Sequence, residues 1–324
     1  MKNAICRIGE LMAIAMGSLE LVSMRIKEEP FDTSNTITRY TRETSSTIRD
    51  SFFTTIDFKA AISDNTIIKG ATLTADDSDM ISLLNNDLYG IGYISYAALE
   101  SSELKALMIE GVRVSEKSII DDSYKLSRNF NYITKAPSDL SEKEYALITG
   151  FIAFSKSREG LSIIKAKDGI VTQNIEEAES FTTLLAKSEN SALAKMLYNT
   201  NEAPIHIKLG GSKSVESISR ALSSAFTSLV PAFKAVHNYT SNEMAYEATQ
   251  GSNKDSAEPL HIGFLARDLD INETEPALAG SYGVISKDAI VAVVSNKNHV
   301  LSDITRDQLK QIYKSETITW SALE

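Results

Sequence analysis

The spacing of apolar residues changes repeatedly between the periods that are typical of strands and of helices. Apolar positions after Ser214 recur at intervals of three and four residues up to Leu229, which predicts an amphipathic helix. Two more helices are predicted, from Ser141 to Phe154 and from Thr305 to Tyr313. This alternation of strands and helices indicates an α/β protein. Runs rich in β-branched and aromatic residues predict strands at Tyr89 to Tyr96, Phe130 to Thr134 and Ala289 to Ser295.

Two polar stretches separate these elements. Residues 172–203 contain helix-forming residues and no glycine, and Pro204 follows them, so we predict a helical connector there and not a flexible linker. The segment from Asn253 to Pro259 combines polar residues with a proline, which is typical of a surface loop.

The start of the chain gives no sign of export or of membrane insertion. The apolar run from Leu11 to Met16 is too short to cross a bilayer, and Glu10 precedes it directly. It follows no basic segment and precedes no clear cleavage site, so we predict neither a signal peptide nor a membrane span. Cys6 lacks the apolar leader that a lipidation site would need.

Composition narrows the classes of partner. The chain of 324 residues is long enough for two domains or for one large two-lobed unit. A net charge of −10, with no block of Lys and Arg to offset it, argues against nucleic acid as a partner. A single cysteine excludes an internal disulfide. An anion could still bind, but local hydrogen bonds would have to capture it against an unfavourable overall field.

Three hydroxyl-rich segments stand directly before predicted helices, where unpaired N–H groups favour an anion. Ser and Thr hydroxyls add donors, and the planar Arg guanidinium matches tetrahedral oxyanions. The alternative interpretation is simple helix capping, for which Ser, Thr and Asn are also favoured. The three segments are Arg42 to Thr47, Gly210 to Ser214 and Tyr239 to Asn242.

Residues 89–170 resemble the closing half of phosphate-binding (PstS-like) proteins, the solute-binding proteins of phosphate ABC transporters. The match runs in order through a Gly-Ile-Gly-Tyr strand, a Lys-Ala-Leu turn, a Leu-Ser-Arg segment and a Glu-Gly pair. Upstream, the segment from Ile37 to Phe52 resembles the anion loop of that family. The matching segments are Gly90 to Ser95, Lys105 to Leu107, Gly111-Val112, Tyr124 to Arg128, Phe154-Ser155 and Glu159-Gly160.

Residues 205–324 resemble the opening half of the same family, so the two halves stand in swapped order. The matching segments are Gly211 to Val215, His261 to Arg267 and Asp303 to Trp320. The chain is either a natural permutation or a piece of a tandem array cut between the halves. The resemblance implies a two-lobed type II periplasmic-binding-protein fold, circularly permuted, with the ligand cleft between the lobes. We expect one discontinuous lobe from 1–128 plus 289–324, and one continuous lobe from 129–288.

The resemblance also implies a set of ligand-binding residues. Ser45, Thr47 and Ile48 depart from the glycine-rich anion loop of the family, and Ala266 stands where the family has an acceptor for the ligand proton. The implied ligand-binding residues are Arg42, Ser45, Ser46, Thr47, Ser214, Val215, Ser241 and Arg267.

The function implied is binding of phosphate or a similar small oxyanion, for delivery to the permease of an ABC transporter. The resemblance places such a protein outside the cytoplasm, in the periplasm or at the cell surface. The alternative is a degenerate binding-protein fold that acts as a structural or interaction module without tight anion binding. We expect no enzymatic activity and no cofactor, because no nucleophile–base pair is recognisable. The four histidines lack the spacing of metal ligands, so we expect no metal site.

Overall fold

A mixed β-sheet of nine strands runs through the part of the chain that the structure describes. The structure is a computed structural model, and it describes residues 31–187, 191–197, 199 and 201–323. Cys6 and the apolar run from Leu11 to Met16 lie outside these residues. Strand order in the sheet is β2-β1-β3-β10-β6-β9-β7-β8, and β4 pairs with the remaining edge of β10, while β5 and β11 form a small parallel pair. The strands are β1 (Thr38–Arg42), β2 (Thr72–Thr74), β3 (Gly90–Ser95), β4 (Lys105–Ala106), β5 (Met108–Ile109), β6 (Ser127–Thr134), β7 (Ile205–Gly211), β8 (Phe233–Tyr239), β9 (Ile262–Leu265), β10 (Tyr282–Val294) and β11 (Asp303–Ile304).

Helices cover the sheet, and several begin at the side-chain caps that their sequences provide. Ser141 and Glu144 form a reciprocal capping box at the start of the fifth helix, and Thr305 and Gln308 form another at the last helix. The helices are α1 (Thr47–Thr55), α2 (Asp77–Asn85), α3 (Tyr96–Leu99), α4 (Glu116–Ile120), α5 (Glu142–Ser155), α6 (Arg158–Lys165), α7 (Phe181–Leu185), α8 (Ser191–Ala194), α9 (Glu216–Leu229), α10 (Asn242–Glu247), α11 (Ile271–Thr274) and α12 (Arg306–Lys314).

Strand β10 connects the two ends of the sheet. Its first part, from Tyr282 to Ala289, pairs antiparallel with β6, and its second part, from Ile290, pairs antiparallel with β3. The pairing partner therefore changes between Ala289 and Ile290. Almost the whole strand is buried, as expected for a strand covered on both faces.

One end of the sheet carries an aromatic cluster beneath α1 and α12. The ring of Phe52 stacks on Tyr93 at a centroid distance of 3.9 Å and meets Tyr313 edge to face at 5.3 Å. The Tyr313 hydroxyl donates to the carbonyl of Tyr40 at 2.9 Å, so the last helix is fixed to β1. The predicted helix near the end of the sequence thus packs against the segment that includes the predicted anion loop.

The other end of the sheet, β6-β9-β7-β8, is covered by α5, α6 and α9. Phe151 stacks on Phe233 at 5.4 Å, and Phe226 meets Phe233 edge to face at 4.9 Å. These rings belong to one apolar core that also takes in Phe181 and Leu193 from the segment after residue 172.

The sequence predictions of elements agree well with the structure. The predicted α/β class is confirmed, and each predicted strand and helix is present with shifted ends. The described residues between 172 and 203 are only partly helical: they contain a 3₁₀ turn at Ile175–Glu177 and the short helices α7 and α8. The described helices include none that is long and apolar enough to cross a membrane.

Candidate functional site

Arg42 ends β1 and lies buried at the start of the predicted anion loop. Its guanidinium donates through Nη1 to Asp77 at 3.0 Å, and that carboxylate also accepts from the Ser95 hydroxyl at 2.7 Å. The backbone of Arg42 is fixed as well, because its N–H donates to the Tyr93 hydroxyl and its carbonyl accepts from Arg49. Its Nε is buried without a hydrogen-bond partner in the described structure. Arg42 therefore keeps one unused donor in a dry environment.

The rest of the predicted anion loop leads into α1. Ser45 is exposed in the turn, and Ser46 is the N-cap, whose side chain accepts from the backbone N–H of Arg49 at 3.4 Å. A capping hydroxyl still has its own proton to donate, so capping and ligand contact are compatible at Ser46. The first turn of α1 also presents N–H groups that have no carbonyl partner within the helix.

The second predicted segment, Gly210 to Ser214, begins with the last two residues of β7. The turn that follows requires glycine at position 211. This residue has a φ of +110°, and a Cβ built on it would lie 2.3 Å from the carbonyl oxygen of Phe264. The tight turn brings Ser212 into position to cap the next 3₁₀ turn, where its side chain accepts from Ser214 N–H at 3.3 Å. Val215 is fully buried. It is the N-cap residue of α9, and its side chain makes no capping hydrogen bond.

These two segments meet, although they are far apart in the sequence. The hydroxyl of Thr47, in the first turn of α1, lies 2.7 Å from the hydroxyl of Ser214. Two of the residues implied by the resemblance are therefore in direct contact. The contact joins a helix over one end of the sheet to a loop at the other end.

Arg128 lies beside this contact and was not among the predicted site residues. It is buried in β6, and its Nη2 donates to Ser214 at 3.3 Å, while its Nη1 donates to Ser51 at 3.0 Å. The same guanidinium pairs with Asp288 at 2.6 Å, directly opposite in the register of β10. Removing one member of such a buried pair leaves an uncompensated charge, at a cost of about 3–5 kcal/mol.

The third predicted segment, Tyr239 to Asn242, contacts α1 through Asn242. Ser241 caps α10 by accepting from Met244 N–H at 3.4 Å. The next residue, Asn242, donates to Asp50 of α1 at 2.6 Å and accepts from Ala266 N–H at 2.8 Å. Burial raises the pKa of Asp50, and the nearby Glu243 carboxylate adds to that increase, while the Asn242 hydrogen bond opposes it.

Arg267 is held by its own neighbours. Its Nη1 and Nη2 donate to the two carboxylate oxygens of Glu273 at 2.6 and 2.8 Å. Three of the arginines in this region are thus paired with carboxylates: Arg42 with Asp77, Arg128 with Asp288, and Arg267 with Glu273. A fourth, Arg49, is buried in α1 and donates to the carbonyls of Arg42 and Ala61.

A cavity of about 210 Å³ lies next to the contact between Thr47 and Ser214. Both ends of the sheet contribute to its wall, which combines hydroxyls and charges with apolar groups. The lining residues are Ile48, Ser95, Ala97, Arg128, Phe130, Lys167, Asp168, Ser214, Ser217, Ile218 and Asp288.

One signal in the sequence points to Arg128. Arg128 lies in the Leu-Ser-Arg segment that carries the family resemblance, two positions before a predicted strand. Its partner Asp288 lies 160 residues away, so only the strand register could reveal the pair.

The fold and this site define a class: an α/β binding protein in which loops at helix N-termini meet from the two ends of one sheet. The comparisons with known proteins agree with that class. Phosphate-binding protein PstS 2 of Streptococcus agalactiae is 27% identical over 254 residues, which are 78% of this chain and 74% of that protein. Phosphate-binding protein PstS 2 of Streptococcus pneumoniae is 27% identical over 261 residues, 81% of this chain and 77% of that protein.

A solved structure shares the fold. The phosphate-binding protein of a phosphate ABC transporter from Streptococcus pneumoniae TIGR4 superimposes with a TM-score of 0.70 at 23% identity, covering 90% of this chain and 100% of that one. No protein-family model matches the sequence. The predicted resemblance to phosphate-binding proteins of ABC transporters is confirmed.

Proposed function

We propose that this protein binds phosphate or a similar small oxyanion and delivers it to the permease of an ABC transporter. The observation that carries this proposal is the meeting of the Thr47 and Ser214 segments beside the buried Arg128. Both segments lie at helix starts, where free N–H groups and hydroxyls suit an anion. The names of the similar proteins support phosphate as the ligand and a transporter as the partner.

The proposed mechanism is closure of two lobes around the ligand. The lobes would be 1–128 plus 289–324 and 129–288, joined by β6 and by β10, whose pairing partner changes after Ala289. The ligand would lie where α1 faces the loop of Ser214 and the start of α10. Closure of this kind is a common way for binding proteins to enclose a solute. By the same resemblance, we propose a location outside the cytoplasm and no catalytic step.

The ligand-binding set that we propose is the predicted one with Arg128 added. Ser46 and Ser214 supply hydroxyls, Thr47 supplies its backbone N–H in the first turn of α1, and Arg42 supplies its unused Nε. Val215 is the N-cap of α9, and its backbone N–H donates to the Ser212 carbonyl, so it would contribute by fixing the loop of Ser214. Ser45, Ser241 and Arg267 would contribute from the rim of the site.

The second candidate is a binding-protein fold that has lost tight anion binding and serves as an interaction module. One observation favours it: the hydroxyls of Thr47 and Ser214 bond to each other, which uses one of their two protons, and Arg128 is already paired. Ile48 also presents an apolar side chain to the cavity, and Ala266 has no acceptor side chain.

Calorimetric titration of the purified chain separates the two candidates. Phosphate, sulfate and a buffer blank are titrated in turn at fixed pH and ionic strength. Saturable heat with phosphate, absent from the blank, is expected for the binding protein. Heats equal to the blank for both anions would support the interaction module instead. A comparison of phosphate with sulfate also shows whether the missing acceptor at Ala266 has removed the preference for a protonated oxyanion.

A further inference from the structure

The contact between Thr47 and Ser214 occupies the place where two predicted ligand-binding segments meet. The two hydroxyl oxygens are 2.7 Å apart, a full hydrogen bond, and Thr47 is buried. An oxyanion between these groups would need an oxygen about 2.7 Å from each hydroxyl. Both hydroxyls can donate to one anion only if the hydrogen bond between them breaks, because that bond uses one of their two protons.

The surroundings stabilise the hydroxyl pair without any ligand. Ser214 Oγ accepts from Arg128 Nη2, and the carbonyl of Thr47 accepts from Arg128 Nη1 at 3.4 Å. Ser51, one turn further along α1, donates to the carbonyl of Ala266 at 3.2 Å. The Ser214 oxygen is thus hydrogen-bonded to both Thr47 and Arg128, while the bond between the two hydroxyls uses only one of their two protons.

We propose that Thr47 sets the affinity of this site, because its hydroxyl bonds to Ser214 and so competes with an anion for that residue. This proposal rests on the proposed function and adds a determinant of its strength. A hydroxyl at position 47 stabilises the contact between α1 and the loop of Ser214. The loop that Thr47 resembles has glycine there, which has no side chain to compete.

Three substitutions at Thr47 separate the hydroxyl from the bulk of the side chain. Thr47→Val keeps the shape and removes the hydroxyl, Thr47→Ser keeps the hydroxyl, and Thr47→Gly removes both. Thr47 is the first helical residue and Ser46 is the cap, so none of these changes removes the cap of α1. Thermal melting of each variant verifies that it is folded before titration.

Calorimetric titration with inorganic phosphate provides the test. We expect Thr47→Val and Thr47→Gly to bind phosphate about two- to tenfold more tightly than the unmodified chain, the effect of one competing hydrogen bond. Thr47→Ser should bind like the unmodified chain. An affinity of Thr47→Val equal to that of the unmodified chain overturns the proposal, even if Thr47→Gly binds more tightly, because bulk alone would then be responsible.

The same titrations distinguish failure of this proposal from failure of the proposed function. If the unmodified chain binds phosphate and the Val variant binds no better, only the role of Thr47 is wrong. If the unmodified chain shows no binding but the Val and Gly variants bind, Thr47 has the proposed role and the native chain is not a phosphate carrier. Absence of binding in all four proteins overturns both.

Discussion

At the scale of single residues, the site is built from charges that are already paired. Arg42 pairs with Asp77 but keeps its Nε unused, whereas Arg128 makes contacts through all three of its nitrogens. Unlike Arg128, Arg42 therefore has a donor that could bond to the proposed anion.

Replacing Arg42 by alanine should weaken phosphate binding by at least about tenfold, because a charge-assisted hydrogen bond contributes roughly 1.5–3 kcal/mol. Titration calorimetry with phosphate measures this change. Arg113→Ala is the matched control, because Arg113 is exposed. A dissociation constant unchanged in Arg42→Ala, in a folded protein, would remove Arg42 from the site.

The Asp50 carboxyl should give stability a pH dependence of predictable sign. Burial raises its pKa in the folded protein above the unfolded value of about 3.9, so the folded state holds this proton more tightly. As the pH rises from the unfolded pKa towards the folded pKa, the unfolded state loses the proton first. The stability therefore falls over this range, until Asp50 ionises in the folded state as well. Each unit of pKa difference corresponds to about 1.4 kcal/mol.

Urea unfolding of the native chain and of Asp50→Asn between about pH 4 and pH 7 measures this effect. The variant keeps the shape and an acceptor for Asn242. The stability of the native chain relative to the variant should decrease as pH rises. A difference that stays constant across the range would contradict the burial of an ionisable group at this position.

At the scale of elements, the turn after β7 depends on a glycine, which a pair of variants can test. Gly211→Ala faces both a positive φ and a close contact with the Phe264 carbonyl, whereas Gly280 has a φ of +83° with open space around it. Gly280→Ala should cost about 1–2 kcal/mol from the backbone alone. Gly211→Ala should cost a further 1–3 kcal/mol, roughly, from the close contact.

Thermal or urea unfolding of the two glycine variants, side by side, measures the difference. Equal losses of stability would mean that the neighbouring strand moves aside without cost. The turn would then tolerate a side chain, and Ser214 could keep its position without glycine.

Most of the strands and helices could be predicted from the sequence. Two strands begin earlier than predicted, and both errors have the same cause. The strand predicted from Ala289 begins at Tyr282, and the strand predicted from Phe130 begins at Ser127. Both extensions contain charges, and two of these, Arg128 and Asp288, pair across the strands. The pattern of apolar residues ends a predicted strand at a charged residue, because the residue that pairs with this charge lies far away in the sequence.

The site could be predicted only in part for the same reason. Motif resemblance identified Thr47 and Ser214, and the structure brings these together. It did not identify Arg128, Asn242 or Asp50, whose partners are set by packing between distant elements. The capping alternative is also correct for Ser46 and Ser241, because both hydroxyls cap helices.

At the scale of the whole molecule, the order of the two halves can be compared with that of a similar protein. The alignment with the S. agalactiae protein covers 254 residues, which is longer than either 33–204 or 205–324 alone. It must therefore run through both halves. Over the aligned part the halves stand in the same order in both proteins, so the predicted permutation is not confirmed.

The ends of the described unit lie together, so the order of the halves should be reversible. Ser321 N–H donates to the Thr33 carbonyl at 2.8 Å, and Ile37 N–H donates to the Ile318 carbonyl at 2.8 Å. A chain of residues 202–323, a short Gly-Ser linker and residues 33–201 should fold to within about 1 kcal/mol of residues 33–323 in native order.

Circular dichroism melts and urea unfolding of the two chains provide the comparison. Phosphate titration of both chains adds a functional comparison. A reordered chain that fails to fold, beside a native-order control that does, would show that the connector between Leu185 and Ile205 must be unbroken.

The sharing of β10 by both ends of the sheet has a consequence for how the protein is made. Tyr282 to Val294 are synthesised late, and until they leave the ribosome neither β3 nor β6 has its antiparallel β10 partner. The nascent chain therefore presents apolar, unpaired strand edges for most of its synthesis, a condition that favours aggregation. When β10 is made, its pairing with β3 and β6 completes both ends of the sheet in one step.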